Sequence, residues 1–158
     1  LRRLRFFRND KDKGIAELRK AAESSVISAE AARNALIWIR LDMKEYDSAI
    51  TICGKMIAKH PDGKLFWWPL AQAYYATENW QGCIDTYTRL RELVAVDPGN
   101  YFNLVECDYY LLKCYEHLND SEKAKATAEA FLRYEPLIPQ KTRDRQDSKI
   151  TTIRQAAY

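Results

Sequence analysis

Residues 67–87 read WWPLAQAYYATENWQGCIDTY, and the spacing within this stretch decides the fold. Trp67, Leu70, Ala71 and Tyr74 recur three or four positions apart, the interval that places side chains on one face of a helix. Tyr74 is followed nine residues later by Cys83, with Trp80 just before it and Tyr87 one turn after. The same ladder stands upstream as Leu36, Ile37, Arg40, Tyr46, Ala49, Cys53 and Met56. Downstream it reads Leu111, Leu112, Tyr115, Ala124, Ala128 and Phe131. The nine-residue step holds from Arg40 to Ala49, from Tyr74 to Cys83 and from Tyr115 to Ala124. Pro61 and Pro136 close the outer two copies twelve residues after their small residue, because proline cannot continue a helix.

With these residues the chain resembles the tetratricopeptide repeat family, whose pattern of Trp, Leu, Gly and Tyr followed by Ala and Phe the middle copy follows best. The resemblance implies an all-α fold, a right-handed superhelix (solenoid) of antiparallel helix pairs. It divides one domain into a partial preceding repeat over 1–27, repeats over 28–61, 64–98 and 101–136, and a C-terminal capping helix within 140–158. In the first repeat, helices are expected over 28–42 and 46–59, with Lys44 and Glu45 in the turn. Ala49 and Ala71 are small because two helices that cross closely leave no room for more. Two departures stand out in the second repeat. Pro69 lies inside its first helix, which is therefore expected to begin near Leu65 or Phe66, so that the proline falls in the first turn. Fifteen residues separate Cys83 from Pro98, which predicts an extra helical turn before the break at Asp97-Pro98-Gly99-Asn100. Residues 13–24 are similar to the second helix of an earlier repeat, with Leu1–Arg8 as the remnant of its partner, and Ile150 and Ile153 mark the apolar face of the cap.

Composition narrows the functional classes. The net charge of +3 is too small to indicate nucleic acid. Basic ends flank an acidic body: residues 1–20 carry eight Lys/Arg against three Asp/Glu, residues 133–158 six against three, and residues 21–132 eleven against sixteen. No run approaches the length of apolar sequence needed to cross a membrane. Cys53, Cys83, Cys107 and Cys114 lack zinc-knuckle spacing, and only His60 and His117 could assist them, so neither metal nor cofactor is expected. Cys107 and Cys114 share a helix face but stand about 10 Å apart along the axis, too far for a disulfide. Free thiols suit a reducing, cytoplasmic setting. The start at Leu1 reads as a fragment or a processed chain, which keeps an exported or periplasmic protein open.

Catalysis requires convergent groups, and the sequence offers no phosphate loop, HExxH helix, nucleophile elbow or histidine cluster. A non-enzymatic role follows as the expectation. In the resembled family the first helix of each repeat lines a concave groove that binds peptides. The positions pointing away from the Leu36, Leu70 and Leu111 seam are Asn34, Trp38 and Leu41, then Trp68, Gln72 and Tyr75, then Tyr109, Lys113 and Glu116. Four of these nine are aromatic, the residue class that dominates interface hot spots. Packing of Trp38 and Trp68 between repeats is the competing reading. Family members that clamp heat-shock-protein tails hold the terminal carboxylate with Lys, Asn and Arg. Here the matching positions are Asn34, Trp38, Pro69, Glu106 and Tyr110, so a carboxylate clamp is not expected.

The function this implies is a protein–protein interaction scaffold or adaptor whose aromatic-lined groove binds an extended or helical peptide segment of a partner. Two alternatives stay open. The chain could be a structural segment of a longer solenoid, self-associating through its ends. The other is contact with an anionic surface or nucleic acid through Arg2, Arg3, Arg5 and Arg8 beside Phe6 and Phe7.

Overall fold

The computed structural model describes residues 13–20 and 29–158. The Leu1–Arg8 remnant and the 21–24 end of the earlier helix lie outside these residues, whereas 13–20 are helical. Seven helices follow: α1 (Ala29–Asp42), α2 (Tyr46–Lys59), α3 (Lys64–Ala76), α4 (Trp80–Ala95), α5 (Tyr101–His117), α6 (Ser121–Tyr134) and α7 (Gln140–Gln155). A 3-10 turn, Glu135–Leu137, joins the last two, and no strand occurs among the described residues. Each helix packs on its successor, and α1 also touches α3, as α5 touches α7. The architecture is all-α.

Three helix hairpins, α1/α2, α3/α4 and α5/α6, are closed by one device. Lys44, Glu78 and Asn119 take the left-handed conformation, with φ of 60°, 57° and 56°. Their N–H groups donate to Leu41, Tyr75 and Glu116 carbonyls at 2.9, 3.2 and 3.0 Å. The following N–H groups of Glu45, Asn79 and Asp120 reach back to Arg40, Tyr74 and Tyr115 at 2.8, 2.9 and 2.9 Å. This paired closure satisfies carbonyls that the end of a helix leaves open. The same loops then start the second helices. Asn79 and Asp120 side chains accept from the N–H of Gly82 and Lys123 at 3.0 and 3.1 Å. A Cβ on Gly82 would lie 3.1 Å from the Asn79 amide, so glycine leaves room for that cap. Glu45 caps nothing with its side chain and instead pairs with Arg40.

Five residues past each left-handed residue stands Ala49, Cys83 or Ala124, buried where the paired helices meet. The apolar side chains around them form three successive clusters. Ile37, Cys53, Met56, Phe66 and Leu70 fill the first, between α1, α2 and α3. Ala71, Tyr87, Leu90, Val94, Cys107 and Leu111 fill the second, between α3, α4 and α5. Val105, Leu112, Ala128, Phe131, Ile150 and Ile153 fill the third, which α7 covers. Both α3 and α5 therefore bury apolar residues on two sides, as a helix in the middle of a stack must.

Two expectations need correction. Because α3 begins at Lys64, Pro69 sits in its second turn rather than its first. The ring removes the N–H that would bond the Leu65 carbonyl. Leu65 is half exposed, which leaves water to satisfy that carbonyl, while the Pro69 ring itself is buried. The second correction concerns α4, which spans 16 residues against 14 for α2 and α6, two residues longer rather than a full turn. It ends at the turn around Gly99, whose φ of 81° suits glycine.

One polar knot ties the later hairpins together. Asp108 on α5 is fully buried. It accepts from Arg91 Nε of α4 at 2.5 Å and from the Tyr134 hydroxyl of α6 at 2.8 Å. Burial pushes its carboxyl above the usual carboxylate range, and the Arg91 and Tyr134 contacts work against that rise. Asp108→Ala leaves a guanidinium and a phenol without their shared acceptor, so urea unfolding should show a loss of about 2–3 kcal/mol. Glu78→Gly should act in the opposite direction. It relieves a left-handed Cβ and raises stability by about 0.5–1 kcal/mol in the same assay.

Candidate functional site

A cleft of about 490 Å³ runs along the first helices of the hairpins. Trp38 of α1, Trp68 and Gln72 of α3, and Phe102, Asn103, Glu106 and Tyr110 of α5 line it, with Lys149 of α7 at one end and Tyr87 of α4 below. Spacings of four (Trp68 to Gln72, Phe102 to Glu106 to Tyr110) bring each helix's contribution onto one face. The backbones of α3 and α5 do not approach one another as those of α1 and α3 do, although the side chains of Tyr75 and Tyr110 meet. The gap between them is filled by Tyr87, which is 1% exposed. Its ring meets Trp68 edge-on at 6.3 Å and stacks on Tyr110 at 5.0 Å with 8° between planes. Both arrangements suit aromatic quadrupoles. Tyr110 continues the series to Tyr75 at 5.0 Å and Tyr109 at 5.2 Å. Tyr75 in turn meets Trp80 at 5.5 Å, and Trp80 stacks on His117 at 4.0 Å. Burial pushes the Tyr87, Tyr110 and Tyr75 phenols up, so all three keep their proton at neutral pH.

α7 closes one end of the cleft. Its backbone leaves helical geometry at Gln146 (φ −118°, ψ 15°), whose buried amide donates to Glu106 Oε1 at 2.7 Å. Lys149 makes an ion pair with the same oxygen. The Lys149 ammonium also lies 5.5 Å from the ring centres of both Tyr109 and Tyr110. Arg145, one turn earlier, sits 4.8 Å over Phe102. These are cation–π contacts between a helix and the aromatic floor it covers.

The structure divides the nine expected groove residues. Trp38, Trp68 and Gln72 come together in the cleft. Tyr75 and Tyr109 belong to the aromatic series beside it. Lys113 and Glu116 pair with each other at 2.5 Å, and Leu41 packs against the first core cluster. Asn34, one turn before Trp38, has a buried amide oxygen without a hydrogen-bond partner. Four lining residues escaped the sequence reading, Tyr87, Phe102, Asn103 and Lys149, while Glu106 and Tyr110 entered it only as positions matching a carboxylate clamp. On α5 the lining face is one position round from the one inferred from the Leu111 seam. Because the α5 backbone does not approach α3 as α3 approaches α1, the phase of the earlier hairpins does not carry across to it.

A second cleft of about 570 Å³ lies on the opposite face of α1. Leu36, Ile52 and Met56 form its floor, and Arg19, Arg33, Lys55 and Lys59 its rim. It holds no aromatic ring, and Arg19, Lys55 and Lys59 are exposed surface cations. Convergent rings, amides and a carboxylate make the 490 Å³ cleft the better candidate. Among the described residues no group of three or more His, Cys, Asp or Glu is placed to hold a metal. All four cysteines are free and buried, and burial pushes the Cys53 thiol up to about 12. No helix of the described residues is long and apolar enough to cross a membrane.

Compared with known proteins, the chain matches no family model, and no curated protein matches it either.

Exposure separates the roles of the rings, since Trp38 is 38% exposed and Tyr87 almost wholly buried. Tyr87→Ala should cost about 3–4 kcal/mol of stability, as expected for a large aromatic removed from a core, and Trp38→Ala less than about 1 kcal/mol. Urea unfolding of the two variants side by side checks this. Equal losses would mean that Trp38 is a core residue.

Proposed function

We propose that this chain is a protein-interaction module of tetratricopeptide type, binding an extended or helical segment of a partner protein in the 490 Å³ cleft. The observation that carries this reading is the exposed indole of Trp38 facing the same cleft as Trp68, Phe102 and Tyr110. Rings of this size held by a packed floor lose little freedom on binding, which is what hot-spot residues require. Gln72 and Asn103 add side-chain amides that can meet the backbone of a bound segment. The three alike hairpins and their helix-by-helix packing support the tetratricopeptide reading of the architecture. A binding role suits the site better than catalysis, because Glu106 is engaged by Gln146 and Lys149 rather than set beside a nucleophile or a metal.

The experiment begins with a partner retrieved from lysate by the wild-type chain and then purified. Trp38→Ala and Trp68→Ala should each weaken its binding by about 2 kcal/mol or more, with helical circular dichroism unchanged. Retained affinity in both variants would place the interaction elsewhere.

A further inference from the structure

We propose that the cleft recognises a basic side chain of its partner, an arginine or lysine whose cationic head reaches Glu106 and lies against the indoles of Trp38 and Trp68. This rests on the reading of the cleft as a binding groove and adds the chemistry of what enters it. Three observations carry it.

First, Glu106 is half engaged. Both of its contacts, from Gln146 and Lys149, fall on Oε1. No donor from the described residues bonds Oε2, and Glu106 lines the cleft. A carboxylate oxygen at the floor of an aromatic cleft is best satisfied by a charged N–H donor.

Second, the molecule already seats cations on this aromatic surface. Arg145 lies over Phe102, and Lys149 over Tyr109 and Tyr110. These residues stand four apart on α7, so a helix packed on α5 delivers basic heads to successive rings of that helix. At the α1 and α3 end, Trp38 and Trp68 offer the same kind of face, and indole is the strongest ring for this contact. No cation from the described residues is seated on either of them.

Third, the charge balance fits. Glu106 is the only carboxylate among the described residues lining the cleft, and Lys149 engages one of its two oxygens. Residues 29–134, which span α1 through α6, carry fifteen Asp/Glu against twelve Lys/Arg. The field over this body favours the approach of a basic segment.

The test is selection of random dodecapeptides on the full chain, followed by affinity measurement on Glu106→Gln, a near-isosteric change that keeps an oxygen for Gln146 and Lys149. Selected peptides should share an Arg or Lys. The best of them should lose tenfold or more in affinity on Glu106→Gln, and equally when its arginine is replaced by citrulline, the neutral isostere. The citrulline arm stands even if Glu106→Gln destabilises the fold, which its melting temperature will reveal. Peptides that depend on Trp68 but contain no basic residue, or that tolerate citrulline, overturn the cation inference and leave the groove reading standing. Failure to select any peptide, or selection of peptides indifferent to Trp68→Ala, overturns both.

Discussion

The arrangement of this molecule depends on one buried ring, Tyr87. It belongs to the central core cluster and also forms the floor of the cleft. By stacking on Tyr110 and meeting Trp68 edge-on, it joins two helices whose backbones stay apart and whose side chains also meet at Tyr75 and Tyr110. A smaller side chain would leave a void beneath Trp68 and Tyr110, and a close-packed interior does not keep such voids. The opening between α3 and α5 is therefore a product of core packing. A cleft held open from below by a buried aromatic is preorganised, so little ordering is left for binding to cost.

The hairpins supply the second constraint. Each places a left-handed residue at the end of its first helix and a small buried residue five positions later. Arg40, Tyr74 and Tyr115, the residues nine before Ala49, Cys83 and Ala124, are the ones whose carbonyls accept the longer closing bond. The nine-residue step in the sequence is the span of that closure, measured from the accepting carbonyl to the point where the second helix approaches the first. This is why the hairpins could be read from the sequence. Turn geometry and close helix approach each restrict a few positions to a few residue types, and a recurring restriction is visible as a pattern. The period of the pattern is less regular: thirty-four residues separate Tyr46 from Trp80, and forty-one separate Trp80 from Ser121.

The site was less legible, for a related reason. Trp38, Trp68 and Gln72 follow from the phase of the leucine seam, because α1 and α3 do pack together. Phe102 does not, and Glu106 and Tyr110 entered only as positions matching a carboxylate clamp, because α5 is set against Tyr87 and its backbone does not approach α3. Lys149 could not be placed at all from a sequence in which α7 reads as a polar helix with two isoleucines. Its role depends on the departure from helical geometry at Gln146 and on a partner, Glu106, forty-three residues away. Pro69 misled in a smaller way. A buried proline in the second turn is tolerated because the carbonyl it orphans belongs to Leu65, which is half exposed.

The claim on which everything else rests is that Tyr87 holds the cleft open. Aromatic proton–proton contacts measured by NMR on the uniformly labelled free chain test it most directly. The account predicts cross-peaks from the Tyr87 ring to both Trp68 and Tyr110, together with contacts between the Arg145 side chain and the Phe102 ring. Direct cross-peaks between Trp68 and Tyr110 with none to Tyr87 would contradict it, since α3 and α5 would then meet at Trp68 as well as at Tyr75 and the cleft would be closed.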